Sequence, residues 1–369
     1  MESRRAHSVD RFFLSIVIAL LCIGIFVFIS ASFGILAKDP AKFYQVLISQ
    51  LVFGLLCGGI AMYVLSHVPY ENLKKYSFHI FFFSVLSLGL VFIPGLGVSH
   101  SGAQRWIDLG LVSFQPVELF KIGFIFYFSA WVAWAKGNSK RTKKGLIPLI
   151  LLTIGGFALL YFQPDTKNLI LIIVALSGML LIAGLPWKYI GGIILIALAG
   201  LSFVVVQKSY YLLPRIETFL NPSNDPRGSS WQLQQSLIAI GSGGIVGRGF
   251  GQSIQKFSYL PEPQGDSIFA VIGEEFGFIG TILVIFLYTA LALRGLWIAR
   301  RAKDDFGRLL VSGLVILMTA QSFLNIASII GLFPLTGVPL IFMSQGGTSL
   351  LFAMASVGII LNVSRGIKS

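Results

Sequence analysis

The chain has 369 residues, of which 55% are hydrophobic and only 12% are charged. Its mean hydropathy is +0.83, which excludes a soluble globular domain, because such domains carry charges on about a quarter of their residues. The formal net charge of +13 raises the question of a nucleic-acid partner, and the answer depends on where the basic residues lie.

Ten apolar stretches are long enough to cross about 30 Å of hydrocarbon as helices. They lie at 12–35, 43–66, 76–95, 117–135, 145–162, 168–185, 188–206, 267–293, 309–331 and 349–363. The sequence therefore predicts an all-α, polytopic membrane protein in which residues 1–369 form a single membrane domain. The longest connection, residues 207–266, separates the predicted seventh and eighth helices.

Lys and Arg are about twice as frequent in the connections on one side of these helices as on the other, and the segments 136–144 and 294–308 are the most basic. Cytoplasmic loops of membrane proteins carry this excess. The pattern predicts that residues 1–11 and 364–369 are cytoplasmic and that the large loop 207–266 is extracytoplasmic. The positive charge thus reflects topology, and we expect no nucleic-acid partner.

Ionisable residues at membrane depth are costly and are functional candidates by default. In QPVELFKIG, Glu118 and Lys121 are three residues apart and share one face of the fourth helix. Two interpretations stay open: a structural ion pair, or a polar cavity in which Lys121 lies near an anionic group. Just before them, Arg105 adjoins Trp106 at the predicted outer interface, where a guanidinium is suited to phosphate.

Asp165 and Lys167, in QPDTKN, stand at the outer start of the sixth helix. A carboxylate at a helix N-terminus accepts hydrogen bonds from free backbone N–H groups and faces the positive end of the helix dipole. We therefore interpret Asp165 as an N-terminal cap with a supporting role.

The stretch LPEPQGDSIFAVIGEEFG brings four carboxylates to the eighth helix. Asp266 is predicted at the outer mouth of the helix, either as an N-cap or as a reactive acid, whereas Glu274 and Glu275 lie about 12 to 13 Å deeper at 1.5 Å per residue. We expect the deep pair to share a polar cavity with a partner such as Lys121. Glu262 lies in the outer loop and is expected to orient its neighbours.

Three long motifs identify a resemblance. They are GAQRWIDLGLVSFQPVELFKIG, QQSLIAIGSGGIVGRGFGQSIQKFSYLPEPQGDSIFAVIGEEFGFIG and NIASIIGLFPLTGVPLIFMSQGGTSLL. In this order they resemble the SEDS family of shape, elongation, division and sporulation proteins, most closely its division branch. The resemblance covers about residues 12 to 365, nearly the whole chain.

The resemblance implies a ten-helix membrane enzyme that polymerises lipid II into glycan strands at the outer face of the bacterial cytoplasmic membrane. It implies a class B penicillin-binding protein as partner, together with other division proteins. The essential aspartate of the family corresponds to Asp266, its polar helix pair to Glu118 and Lys121, and its late serine-rich motif begins at Ser344.

The sequence departs from the family pattern at two places. Gln264, Gly265 and Ser267 stand where the family usually has His, Thr and Phe. QPDTKN replaces a motif that usually reads QPD, any residue, then Gly and Thr, so that Lys167 stands at the position of the glycine. Asp266 itself is retained.

The implied reaction inverts an anomeric centre, so one displacement with one base suffices. A carboxylate at the water boundary could take the proton from the attacking hydroxyl, and Asp266 is the candidate. Positive charge for the leaving pyrophosphate is expected from a bound Mg²⁺ or Mn²⁺ or from a set of basic residues: Arg105, Lys121, Arg215, Arg248 and Lys256.

The sequence shows no metal-ligand cluster of recognisable spacing, so a metal would be held partly by the substrate. Three other functions stay open: a lipid II flippase whose path would be lined by the deep charges, the elongation-type polymerase, and a scaffold that only recruits division proteins.

Overall fold

The computed structural model describes residues 8–100, 103–108, 110, 113–137, 142–184, 191, 192, 195, 215, 217–221 and 230–367. Its helices are α1 (Arg11–Leu36), α2 (Pro40–His67), α3 (Tyr70–Lys75), α4 (Ser77–Leu90), α5 (Pro116–Gly137), α6 (Thr142–Phe162), α7 (Thr166–Ile182), α8 (Trp231–Ser242), α9 (Gln255–Ser258), α10 (Ile268–Arg300), α11 (Asp305–Ile329) and α12 (Gly347–Ser364).

The predicted all-α membrane fold is confirmed for the described part of the chain. Six helices, α1, α2, α5, α10, α11 and α12, are long and apolar enough to cross a membrane, and α4, α6 and α7 contain shorter apolar helices. The helix predicted at 188–206 lies almost entirely outside the described residues. The eighth predicted helix extends further than expected, since α10 ends at Arg300.

A small antiparallel sheet between α4 and α5 was not predicted. Its strands are β1 (Gly97–His100), β2 (Ala103–Asp108) and β3 (Ser113–Phe114), paired in that order, with Val98 opposite Trp106 and Ile107 opposite Phe114. Successive side chains of a strand point to opposite faces, so Arg105 shares a face with the buried Ile107. The sheet thereby directs Arg105 towards the helices.

Close helix contacts in this fold depend on small residues, as is common between membrane helices. Helix α12 packs along α2. A Cβ atom on Gly358 would lie 2.5 Å from the backbone oxygen of Met62, so no larger residue fits there without displacing the helices. In its centre α2 forms a π-helix, Ser49–Cys57, which faces the residues that precede α12.

The glycine-rich turn after α8 docks against a break in α10. At Gly277 the backbone leaves the helical region, with φ of 63°. The amides of Arg248 and Gly249 donate to the backbone carbonyls of Glu274 and Glu275 at 3.0 and 2.9 Å. These two amides are therefore used in packing the turn onto α10.

A buried ion pair joins the segment after this turn, residues 253–256, to α10 and α1. Lys256 Nζ donates to Glu275 Oε1 at 2.7 Å and to Ser30 Oγ at 2.8 Å. Ser30 Oγ in turn donates to the Glu275 carboxylate. Both charged side chains are 0% exposed, so the expectation that Lys256 supplies positive charge to the leaving pyrophosphate is wrong in this structure.

Glu274 is held by the same segment. Its carboxylate accepts from Ser253 Oγ at 2.6 Å and from the amide of Ile254 at 2.9 Å. The predicted partnership of Glu274 and Glu275 with Lys121 is therefore wrong. Spacing along α10 predicted the depth of Glu274 and Glu275. It could not predict that residues 253–256 fold back beside these two side chains.

We predict that Lys256→Met lowers the stability of the folded protein by about 3–5 kcal/mol, because it leaves the Glu275 carboxylate buried without its cation. The double variant Lys256→Met/Glu275→Gln should recover most of that loss. Thermal unfolding in detergent measures both effects, with the exposed Lys42→Met as control. An unchanged melting temperature for the single variant would contradict this account.

Candidate functional site

Residues 334–340 connect α11 to the turn before α12 without forming a helix. Three successive backbone carbonyls of this extended segment accept hydrogen bonds from side chains: Gly337 from Lys167, Val338 from Asn325 at 2.8 Å and Pro339 from Gln321 at 3.2 Å. Backbone groups shielded from water need partners. Three side chains thus replace the partners that a helix would have supplied.

Asp266 lies beside this segment, partly buried, two residues before α10 begins. Its backbone oxygen accepts from Asn325 Nδ2 at 2.8 Å, so one amide group holds both Asp266 and Val338. Ser267, not Asp266, occupies the N-cap position of α10. The N-cap interpretation of Asp266 is therefore wrong, and its carboxylate does not cap the helix.

Gly337 brings the Asp266 carboxylate and the Lys167 ammonium to one point. A Cβ atom on Gly337 would lie 3.1 Å from Asp266 Oδ2 and 3.6 Å from Lys167 Nζ. The φ of Gly337 is 68°, a left-handed conformation that glycine adopts without steric cost. Glycine is thus required here both by the backbone and by the space its two charged neighbours occupy.

The turn before Asp266 is fastened by Glu262, as predicted for this residue. The Glu262 carbonyl accepts from the amides of Gly265 and Ser267 at 3.0 and 3.2 Å, and its carboxylate accepts from Gln264 Nε2 at 3.3 Å. Gln264 also accepts from the amide of Gln345 at 2.7 Å through its backbone oxygen. The residues that depart from the family pattern therefore belong to a hydrogen-bonded turn.

Asp165 lies at the N-cap position of α7, but its side chain makes no capping hydrogen bond. The predicted capping role is therefore wrong. The carboxylate is 0% exposed and accepts from Asn168 Nδ2 at 2.8 Å. Among the described residues its Oδ1 atom has no hydrogen-bond partner.

Arg105 fixes the turn that precedes Asp165. Its guanidinium donates to the backbone oxygen of Gln163 at 3.1 Å and to that of Pro164. Strand β2 therefore supports the start of α7, from which Lys167 extends to Gly337. Arg105 is a neighbour of the site through this turn.

Glu118 and Lys121 form the ion pair that their spacing indicated. Lys121 Nζ donates to Glu118 Oε1 at 2.8 Å and to Gln321 Oε1 at 3.0 Å, and Lys121 is 2% exposed. Gln321 passes this connection on to the Pro339 carbonyl. The pair is therefore present as its spacing predicted, and through Gln321 it supports the segment beside Asp266 from within the bundle.

The other predicted cations divide between two places. Arg215 donates to the Leu335 carbonyl at 3.4 Å, which is part of the segment beside Asp266. Arg248 instead lies in the glycine-rich turn that docks on α10, with its Nε 3.4 Å from the Ser242 oxygen and 3.8 Å from Glu274 Oε1. Arg215 thus adjoins the site, whereas Arg248 contacts Glu274.

Ser344 closes the far end of the segment. It is 5% exposed, and its Oγ accepts from the Leu340 amide at 2.8 Å. Gln50, on the π-helical part of α2, donates to the Ser344 carbonyl at 3.2 Å and accepts from the Gly346 amide at 2.9 Å. Ser344 and Gln50 therefore hold the loop before α12.

Sequence reasoning missed Gln50, Gln321 and Asn325, and it did not connect Lys167 with Asp266. An available signal was the presence of amides inside apolar helices. Gln321 and Asn325 are four residues apart on α11 and so share one face. Amide side chains in a membrane-spanning helix usually form hydrogen bonds with a neighbouring element, so this pair indicated a partner on one face of α11.

The described residues contain no group of three or more His, Cys, Asp or Glu side chains placed to hold a metal ion. Among the described residues, the oxygen donors at this place include the Asp266 carboxylate and the backbone carbonyls of the neighbouring segment. This donor set does not fit a metal bound by protein ligands alone, and the expected Mg²⁺ or Mn²⁺ stays an expectation.

Comparisons with known proteins cover nearly the whole chain. The chain is 37% identical over 361 residues to the "Probable peptidoglycan glycosyltransferase FtsW" of a Geobacter species, and the match covers 98% of both chains. It is 36% identical over 362 residues to "Stage V sporulation protein E" of Bacillus subtilis, covering 97% of both.

Two solved structures also match this chain over nearly its whole length. A chain from the structure described as "Structural coordination of polymerization and crosslinking by a peptidoglycan synthase complex" superimposes with a TM-score of 0.74 and 27% identity, covering 97% of this chain and 98% of that one. The rod shape determining protein RodA of Thermus thermophilus superimposes with a TM-score of 0.69 at 25% identity, covering 98% of both.

The family model for FtsW, RodA and SpoVE, described as "Cell cycle protein", matches residues 11–369. With the identity to curated relatives over almost the full length, this establishes the assignment that the motifs indicated. The chain belongs to the FtsW/RodA/SpoVE family, the SEDS proteins.

Proposed function

We propose that this chain is a peptidoglycan glycosyltransferase that polymerises lipid II into β-1,4 glycan strands for septal wall synthesis in cell division. The observation that carries the proposal is a partly exposed carboxylate, Asp266, held beside an extended segment in a protein of this family. The names of the relatives support a glycosyltransferase, and several carry the division name FtsW rather than the elongation name.

The reaction joins the 4-hydroxyl of one disaccharide to the anomeric carbon of another. Asp266 accepts the proton of that hydroxyl as the new C–O bond forms, and the polyprenyl pyrophosphate leaves with the electron pair of the broken bond. A base must be held within reach of the hydroxyl. Asn325 serves this need, because it binds the backbone of Asp266 and that of the neighbouring segment.

The pyrophosphate needs positive charge rather than a proton, because it is already a weak base. Of the basic residues expected from the sequence, Arg215 and Arg105 adjoin the segment beside Asp266. Arg215 donates to the Leu335 carbonyl, and Arg105 supports the turn before Lys167. A divalent ion held with the substrate would supply further charge to the leaving group.

The flippase alternative is less well supported. It requires deep charges along an open path, yet Lys121 is bound to Glu118 and Gln321, and Lys256 is bound to Glu275. Glu274 is occupied by Ser253 and backbone amides. In the part of the chain that the structure describes, these charges neutralise one another within packed helices.

We further propose that the protein resides in the bacterial cytoplasmic membrane with both termini in the cytoplasm, and that it acts with a class B penicillin-binding protein and other division proteins. The excess of Lys and Arg in alternate loops supports this orientation. The similarity to a chain from a peptidoglycan synthase complex supports the partner.

We predict that Asp266→Asn lowers the rate of glycan formation by about 10²–10⁴-fold, because the amide is too weak a base for the hydroxyl proton. The measurement uses purified protein with its partner and labelled lipid II, followed by separation of the glycan products. Glu262→Gln, in the outer turn, is the comparison and should lose much less. Polymer formed by Asp266→Asn at the wild-type rate would overturn the assignment of the base.

We predict that Asn325→Leu destabilises the protein by about 1–3 kcal/mol, because it leaves the carbonyls of Asp266 and Val338 without their donor. Glycan formation should fall as well, because Asp266 is no longer held to the segment. Thermal unfolding and the same polymerisation assay test both effects. Asn72→Ala, at an exposed position, is the control, and a fully active Asn325→Leu enzyme would contradict the positioning role.

A further inference from the structure

We propose that Lys167 binds the pyrophosphate of the lipid-linked donor and stabilises its negative charge as it leaves. The inference rests on the proposed function and adds to it a residue that the family pattern does not contain. Lys167 stands where QPDTKN departs from the usual glycine. The charge is therefore a feature of this chain.

The position of Lys167 supports the assignment. Its Nζ lies on the same side of Gly337 as Asp266 Oδ2, at 3.6 and 3.1 Å from the place a Cβ atom would take. The ammonium and the carboxylate do not form a direct salt bridge, because among the described residues no carboxylate lies within 4.0 Å of Lys167 Nζ. The two charges therefore face a common space next to Gly337.

The ammonium retains hydrogen-bonding capacity for a ligand. A lysine has three N–H donors, and Lys167 uses one for the Gly337 carbonyl. The side chain is only partly buried, so the remaining donors are not enclosed by the bundle. A phosphate oxygen could accept from them without displacing the Gly337 bond.

Three of the five basic residues expected from the sequence to stabilise the leaving group contact carboxylates in other parts of the fold. Lys121 and Lys256 are buried in ion pairs, and Arg248 lies beside Glu274. Lys167 thus supplies a positive charge in the space next to Gly337 that it shares with the Asp266 carboxylate.

The roles of the two residues divide as follows. The acceptor oxygen bonds to the anomeric carbon and gives its proton to Asp266. The bond from that carbon to the pyrophosphate oxygen breaks, and its electron pair stays on the pyrophosphate. Lys167 remains protonated throughout and offsets the developing charge, as preorganised cations do at other leaving groups.

Three variants separate charge from packing. Lys167→Gln keeps an N–H donor for the Gly337 carbonyl but removes the charge, Lys167→Arg keeps the charge, and Lys167→Met removes both. We expect Lys167→Gln and Lys167→Met to lower kcat by about 10²–10³-fold, whereas Lys167→Arg retains most activity. The exposed Lys42→Met is the matched control. Melting temperatures check that Lys167→Gln is folded.

Inorganic pyrophosphate provides a second readout. It should inhibit the wild-type enzyme and Lys167→Arg more strongly than Lys167→Gln, a difference that a purely structural lysine would not produce. A Lys167→Gln enzyme with wild-type kcat and wild-type inhibition by pyrophosphate would overturn the inference and leave the proposed function intact. A wild-type enzyme that makes no glycan with its partner would contradict the proposed function, and the inference would fail with it.

Discussion

The site depends on one constraint: a non-helical segment among membrane helices must find partners for its backbone groups. Residues 334–340 meet it with side chains from three elements, namely Lys167 on α7, Gln321 and Asn325 on α11, and Ser344 from the following turn. Because each of these side chains also contacts another group or faces one, the segment is fixed relative to several helices at once. Asp266 acquires its position from this arrangement.

Two buried ion pairs help to fix the elements around Asp266 relative to one another. Glu118 and Lys121 act on the segment through Gln321, whereas Lys256 and Glu275 fasten residues 253–256 to α1 through Ser30. A buried pair is weak support for overall stability, since desolvation offsets much of its attraction. Removing one partner is costly, however, so each pair specifies how its elements must pack.

The sequence predicted the features that follow from the membrane and from spacing along one helix. It did not predict contacts between segments that are distant in the chain. Hydropathy located the apolar helices that the structure describes, because each must span hydrocarbon. The spacing of Glu118 and Lys121 predicted their pairing because both lie on one helix face. The strands around Arg105 are too short to give a pattern. The depth of Glu275 could be estimated along its helix, but its partner Lys256 came from a loop whose path no local rule determines. Asn325 resembled a tolerated polar residue until its two carbonyl partners were known.

The departures from the family pattern are coupled by the same segment. Gln264 binds Glu262 and Gln345 and so remains part of the turn before Asp266, while Lys167 reaches Gly337 on the side that the Asp266 carboxylate also faces. A glycine at position 167 would leave the Gly337 carbonyl without this donor and the space beside Asp266 without this charge. The substitution therefore changes two things together, the support of the segment and the electrostatics of the site. The geometry keeps the carboxylate and the ammonium close enough to act on one substrate without a direct salt bridge between them.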